Sequence, residues 1–278
     1  MKNNKKRDSL GDRMKEFYED RNRMYLTRRV PVICRLDGVA FHTFCKRFEK
    51  PYDETFNGIM NKVMTYICSS VQGVKFAQRH SDEISFLLTD YDTITTCAFF
   101  DYNVQKIVSV VSGMATAELC RLLSESHYAI GEDNYADGGI AYLKWDEKWP
   151  CFDCRCFSIP EHEISNYYWW RLLDCKRNSI SMNAQARFSH KELQGKNCDE
   201  MQEMLFSKHG INWNNIPQGQ KSGYVSYRKK ETKIVYTRDT ADKHNGKTCE
   251  RNSWVLVPSP KNKKELDEVI SSVLQKQE

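Results

Sequence analysis

Apolar positions along the chain fall into two rhythms. Phe56, Ile59, Met60, Val63, Met64, Ile67 and Val71 recur at helical spacing, which predicts an amphipathic helix with one buried face. Val104, Ile107, Val108, Val111, Met114, Ala115, Leu119 and Leu122 repeat that rhythm. Around these stretches lie short runs rich in β-formers, at residues 32–36, 73–77, 84–88 and 155–159, which read as strands. The order is β-α-β-β-α-β, an α+β chain with the split βαβ, ferredoxin-like arrangement. Its first and third strands are antiparallel neighbours at the sheet centre, so the end of the first lies beside the start of the third.

The residues that end those strands give the arrangement its chemistry. The first run stops at Asp37-Gly38, and the third is preceded by Ser81-Asp82-Glu83. Either motif alone is an ordinary turn; the topology brings both to one edge of the sheet. Two carboxylates held together repel, and a hard divalent cation relieves the repulsion. Asp37, the Gly38 carbonyl and Asp82 form the oxygen set that Mg²⁺ takes alongside substrate phosphates. Two such ions align an attacking hydroxyl with a leaving phosphate oxygen. Gly38 also allows a tight turn whose following N–H groups can face a ligand.

Outside this unit the pattern is looser. Residues 1–30 hold ten Lys/Arg against five Asp/Glu. Lys2, Lys5, Lys6 and Arg7 begin a frayed terminus, and Asp8 or Ser9 caps a helix reaching about Tyr25. That helix reads equally as a solvated surface and as an RNA contact. Residues 125–150, with Gly131, Gly138 and Gly139, read as an irregular insertion. Ser158, Pro160 and Glu161 mark a helix start, and the following residues 167–180 interleave aromatics with Arg171, Lys176 and Arg177. Such a pattern serves either a core helix or an RNA surface. Asn197 and Glu200 cap a helix that Gly210 ends. Residues 223–227 and 233–236 alternate like a hairpin within a segment, 221–251, that carries nine Lys/Arg and four Asp/Glu. Residues 261–278 read as a charged helix or tail.

The whole chain carries a net charge of +5 with 28% charged residues, and the sequence pattern suggests no apolar run near the roughly 18 residues a membrane span needs. Eleven scattered cysteines without a signal peptide suit reduced thiols in a cytoplasmic setting. Cys151, Cys154 and Cys156 give one Cys-x-x-Cys; a structural zinc would need Cys175, Cys198 or His162 to complete it by folding.

Residues 35–44, Arg-Leu-Asp-Gly-Val-Ala-Phe-His-Thr-Phe, with Lys50-Pro51-Tyr52-Asp53 and residues 78–86, Gln-Arg-His-Ser-Asp-Glu-Ile-Ser-Phe, resemble the tRNA-histidine guanylyltransferase superfamily from about Leu10 to Trp254. The resemblance implies a palm-like catalytic unit with an N-terminal helix over residues 1–160. Residues 161–278 become a helical and basic β-rich extension for tRNA contact and oligomerisation. It implies addition of nucleotides to the 5′ end of tRNA in the 3′-to-5′ direction, with two Mg²⁺ per site and ATP and GTP or other NTPs as substrates. By match to the family, Asp37, Asp82 and Glu83 are catalytic, and Asp37, Gly38 and Asp82 hold metal. Asp37, Gly38, Val39, Ala40, Phe41 and His42 wrap a nucleoside triphosphate, Lys50 serves adenylylation, and Ser81, Asp82, Lys106 and Arg155 complete nucleotide binding. Lys176, Arg177, Asn178 and Ser179 fall where the family contacts tRNA and triphosphate, and a homotetramer, a dimer of dimers, is expected.

One stretch departs from the family. Eukaryotic members carry His-Ile-Asn-Asn-Leu-Tyr-Asn where this chain has Lys176-Arg177-Asn178-Ser179-Ile180-Ser181-Met182. The departure points to the guanylyltransferase-like branch that extends 5′-truncated tRNAs by templated pairing, with strict addition of one G to histidine tRNA as the alternative. A nucleotide cyclase or nucleotide sensor could use the same fold and paired aspartates without RNA. A pure RNA-binding module has no need of Asp37 or Asp82.

Overall fold

The computed structural model describes residues 9–126, 149–236 and 246–275. Helix α1 (Ser9–Met14) precedes strand β1 (Val32–Gly38) and the one-turn helix α2 (Phe41–Phe44). Helix α3 (Glu54–Ser70) leads to strands β2 (Val74–His80) and β3 (Glu83–Leu88), and helix α4 (Val104–Glu125) and strand β4 (Phe152–Ser158) complete the β-α-β-β-α-β order. Helices α5 (Ile164–Gln185), α6 (His190–Leu193), α7 (Cys198–His209) and α8 (Gln218–Ser222) follow, then strands β5 (Tyr224–Ile234) and β6 (Thr248–Pro258) and helix α9 (Lys263–Leu274). One six-stranded sheet in the order β4-β1-β3-β2-β5-β6 joins them, with antiparallel pairing throughout.

Both faces of the sheet are covered, which explains why β1 reads as a nearly continuous apolar run. Val32, Cys34 and Leu36 face α3 and α4, meeting Met60, Val63, Ile107 and Val111. Ile33, one residue out of phase, shares the opposite face with Phe76, Leu87, Tyr168 of α5 and Leu266 and Ile270 of α9. Beyond the sheet, Ala184, Phe188, Leu193 and Leu205 form a smaller cluster.

Asp53 caps α3 by accepting from the Phe56 N–H at 2.7 Å, and Asn103 caps α4 through the Lys106 N–H. Helix α4 is long and apolar enough by length and composition to cross a membrane, unlike the sequence expectation. Its stripe Ile107, Val111, Ala115 and Leu119 is buried in the core that α3 shares.

Other expectations change at the boundaries. Helical backbone from Ser9 runs through a wider π turn and a 3₁₀ turn only to Asn22. Lys2, Lys5, Lys6, Arg7, the Asp8 cap and most of the 125–150 insertion lie outside the described residues. Ser158 does not open a helix, because it pairs with Val32 as the last residue of β4. The expected hairpin at 223–236 is instead one uninterrupted strand, β5, whose partner is β6 from Thr248 onward. Only Tyr224 to Tyr227 also pair with β2; beyond them β5 and β6 continue as a two-stranded ribbon bearing Arg228, Lys229, Lys230, Lys233 and Arg251.

Leu36 is fully buried between β1 and its covering helices. Leu36→Ala is expected to cost about 2–5 kcal/mol, read as a lower urea midpoint with an unchanged slope.

Candidate active site

A cavity of about 320 Å³ opens at the sheet edge where β1 ends and β3 begins. The last β1–β3 pair is Leu36 with Ile84, so Asp37 and Glu83 each lie one residue beyond it. Between β2 and β3, His80 pairs with Glu83, leaving Ser81 and Asp82 as a two-residue turn. Ser81 takes a left-handed backbone, φ 48°, as such tight hairpin turns require. Asp37, Asp82 and Glu83 consequently line one cavity with Lys50 and the aromatic residues Phe48, Tyr52 and Phe56.

Burial pushes the Asp82 carboxyl up; hydrogen bonds from its own backbone and Ser81 oppose this, and the charges of Asp37 and Glu83 add to it. Among the described residues no three His, Cys, Asp or Glu side chains converge as a metal cage. Two hard carboxylates with open coordination positions fit a cation that keeps water and phosphate ligands, as Mg²⁺ does. The adjacent Cys45 thiol is pushed up to about 12 by burial and by Asp82 and offers no soft thiolate. Cys154 and Cys156, half-buried on β4, lie against the α3–α4 core, and no zinc cluster forms around them among the described residues.

Of the two roles open to Glu83, a metal contact through water or a hold on the turn, the contacts described serve the second. Arg171 of α5 donates from Nε and Nη2 to its two oxygens at 2.7 and 2.6 Å, with the side chains only 11% and 12% exposed. Both carboxylate oxygens are thereby engaged, and Glu83 fastens α5 to the acidic turn. Arg171 also reaches Asp174, which in turn holds the exposed Arg177.

The loop after β1 separates into core and surface. A Cβ at Gly38 would meet the Phe41 ring at 2.3 Å. That ring is buried among Phe44, Phe56 and Phe152, so the Phe41 side chain is part of the core and the expected contact to a triphosphate would fall to the backbone N–H groups of this loop. Val39 is exposed and donates its N–H to the Cys151 carbonyl at 2.8 Å; Ala40 is left-handed, φ 55°. His42 is exposed beside the Thr43 hydroxyl. Lys50 donates to the Cys45 carbonyl at 2.8 Å on the cavity wall.

Lys106 and Arg155 lie outside the cavity lining. The Lys106 ammonium sits 5.9 Å from the Phe100 ring, and Arg155 pairs with Asp153 at 3.2 Å. The β1–β4 register nevertheless sets Arg155 opposite Arg35 and Asp153 opposite Asp37. Like charges directly opposite are destabilising without a counter-ion.

In α5, Asn178 lines the cavity, while Lys176 donates to the Lys261 carbonyl at 3.0 Å over the Trp169 ring. Ser179 lines the same cavity and is 3% exposed. Its hydroxyl shares a 2.5 Å hydrogen bond with Tyr52 and accepts from Trp213 Nε1 at 3.0 Å. The sequence reading missed Arg79, His80 and Arg171 as cavity residues. Two basic residues closing β2 directly before the acidic turn were the available signal for the first two. Burial and the nearby Arg171 and Arg79 push the His80 imidazole down to about 3, so it is neutral.

Arg171→Leu strands the nearly buried Glu83 carboxylate and is expected to cost about 3 kcal/mol in urea unfolding, with partial recovery on adding Glu83→Gln. A carboxyl whose folded pKa exceeds its unfolded value binds its proton more tightly when folded. Its contribution to stability is therefore lost as pH rises through the folded pKa. Asp82 is such a group. In calorimetry of the metal-free protein, Asp82→Asn should melt above wild type at neutral pH, with the gap closing at acid pH. A gap independent of pH contradicts this account.

A sequence profile described as tRNAHis guanylyltransferase matches residues 11–160. A bacterial tRNA(His) guanylyltransferase-like protein in complex with ATP superposes with a TM-score of 0.77 at 34% identity, covering 95% of this chain and 99% of that one. A bacterial tRNA(His) guanylyltransferase-like protein in complex with GTP gives 0.74 at 33% identity, over 96% and 100%. The tRNA(His) guanylyltransferase of Saccharomyces cerevisiae gives 0.60 at 25% identity, over 82% and 100%. The profile spans more than half of the chain, and the chain belongs to the tRNAHis guanylyltransferase family, nucleotidyltransferases that act on the tRNA 5′ end in the 3′-to-5′ direction.

Proposed function

We propose that the protein extends 5′-truncated tRNA, or a tRNA-like RNA, by adding nucleotides templated by base pairing, after adenylylating the 5′ end. The carrying observation is the meeting of Asp37 and Asp82, from separate strands, in a cavity that also holds Lys50. Asp37, the Gly38 carbonyl and Asp82 would hold magnesium, which supplies charge neutralisation and alignment of attacking and leaving oxygens. Lys50 lies on the cavity wall where a lysine can balance phosphate charge. In the first step a 5′-phosphate oxygen bonds to the α-phosphorus of ATP and pyrophosphate leaves. In the second, the 3′-hydroxyl of an incoming NTP attacks the activated 5′-phosphate, gives up its proton, and AMP leaves.

Two observations favour templated repair over strict addition of one G to histidine tRNA. The chain is more similar to the bacterial guanylyltransferase-like protein, at TM-score 0.77 and 34% identity, than to the yeast enzyme, at 0.60 and 25%. Residues 176–182 also lack the eukaryotic His-Ile-Asn-Asn-Leu-Tyr-Asn stretch. The test incubates 5′-labelled truncated tRNA with Mg²⁺, ATP and each NTP, beside intact histidine tRNA. Growth of the truncated tRNA that follows its template supports the reading, and a single G on intact histidine tRNA alone overturns it. Asp37→Ala and Asp82→Ala should each reduce addition by about a thousandfold or more while tRNA affinity in a gel shift stays near wild type.

A further inference from the structure

Strand β2 buries a cation beside the acidic turn. Arg79 is 1% exposed and lines the cavity that holds Asp37 and Asp82. Its Nε donates to Asn61 Oδ1 at 3.0 Å, both terminal nitrogens reach Asn57 Oδ1 at 3.3 Å, and Nη1 donates to the Ser81 carbonyl at 3.0 Å. The ring of Tyr224 lies 5.4 Å from the guanidinium carbon. Gly223 brings its backbone close to that of β2, since a Cβ there would stand 2.0 Å from the Arg79 carbonyl oxygen.

Every hydrogen-bond acceptor described for Arg79 is neutral, whereas the neighbouring Arg171 spends its charge on Glu83. A buried cation without a carboxylate partner is costly, and burial lowers its pKa to about 10 while Cys175, Tyr224 and, least of the three, Asp82 pull the other way. Asn57 and Asn61 stand one turn apart on α3, so the guanidinium ties that helix to Ser81. Ser81 is the left-handed residue immediately before Asp82.

We propose that Arg79 is a positioning residue for nucleotide addition: it clamps the Ser81 carbonyl to helix α3, which aims the Asp82 carboxylate, and its unpaired charge offsets the repulsion between Asp82 and Asp37. The inference rests on the nucleotidyltransferase reading above. Displacement of a reacting group by about an ångström costs on the order of a hundredfold in rate, so Arg79→Gln is expected to lower kcat by about tenfold to a hundredfold. KM for ATP is expected to change less than kcat, because all the hydrogen bonds described for the guanidinium go to Asn57, Asn61 and Ser81 of the protein itself.

The experiment measures kcat and KM for addition to truncated tRNA by the full chain. Mn²⁺ affinity is measured separately by electron paramagnetic resonance, and the fold is checked by circular dichroism. Removing a cation beside two metal-binding carboxylates leaves the pair more negative, so Arg79→Gln should tighten Mn²⁺ binding even as kcat falls, and Arg79→Ala should regain activity with guanidinium ion but not with urea, which has a similar shape and no charge. Should either Arg79 variant fail to fold, Asn61→Ala, which removes one acceptor and leaves the cation, is expected to show the same kcat loss in smaller degree. Wild-type kcat and Mn²⁺ affinity in Arg79→Gln, or equal rescue by urea, overturns the inference. A wild-type chain that adds no nucleotide overturns the nucleotidyltransferase reading instead, and the Mn²⁺ titration still decides the role of Arg79.

Discussion

The antiparallel pairing of β1 with β3 is the constraint from which the rest follows. It fixes Leu36 against Ile84 and so delivers Asp37 to the turn that carries Asp82. Side chains alternate along a strand, and a slip of one residue would turn Asp37 toward the α3–α4 core and Leu36 away from it. Covering helices on both faces penalise such a slip twice, because Val32, Cys34 and Leu36 face one layer and Ile33 the other. The placement of the acidic residues is therefore underwritten by hydrophobic burial far from them.

Around that constraint the cavity is built from opposing charges used in different ways. Glu83 is consumed by Arg171, whereas Asp37 and Asp82 share the cavity without an ion-pair partner of their own among the described residues. The result is a rigid rim with reactive oxygens left over. Preorganisation of this kind matters more for chemistry than a larger number of contacts would. Helix α5 contributes to the same wall from the opposite side, with Ser179 locking Tyr52 and Trp213 together.

The strand and helix order was readable in the sequence because both rhythms are strong over the first half of the chain. Asp37 and Asp82 were legible for the same reason: each closes or opens a strand, and topology predicts their neighbourhood. The burial of the Phe41 ring and of the Ser179 hydroxyl was not legible, because a side chain next to a motif can face the core as easily as the solvent. Glu83 illustrates the same limit, since its partner Arg171 is 88 residues away. The β5–β6 pairing escaped for a related reason. Its strands are solvated along much of their length, and the alternation at 223–227 and 233–236 belongs to one strand whose partner lies further along the chain.

The outer part of that ribbon has a mechanical meaning. From Tyr227 to Ile234 it extends about 24 Å at the usual rise per residue, and a two-stranded ribbon has little stiffness of its own. Its root is the ladder Tyr224 to Tyr227, which hydrogen-bonds to β2 as far as Arg79. Strand β2 therefore carries both the anchorage of the arm and, just past His80, the acidic turn, so a shift in the β2–β5 register would alter the footing of the arm and the surroundings of Asp82 together.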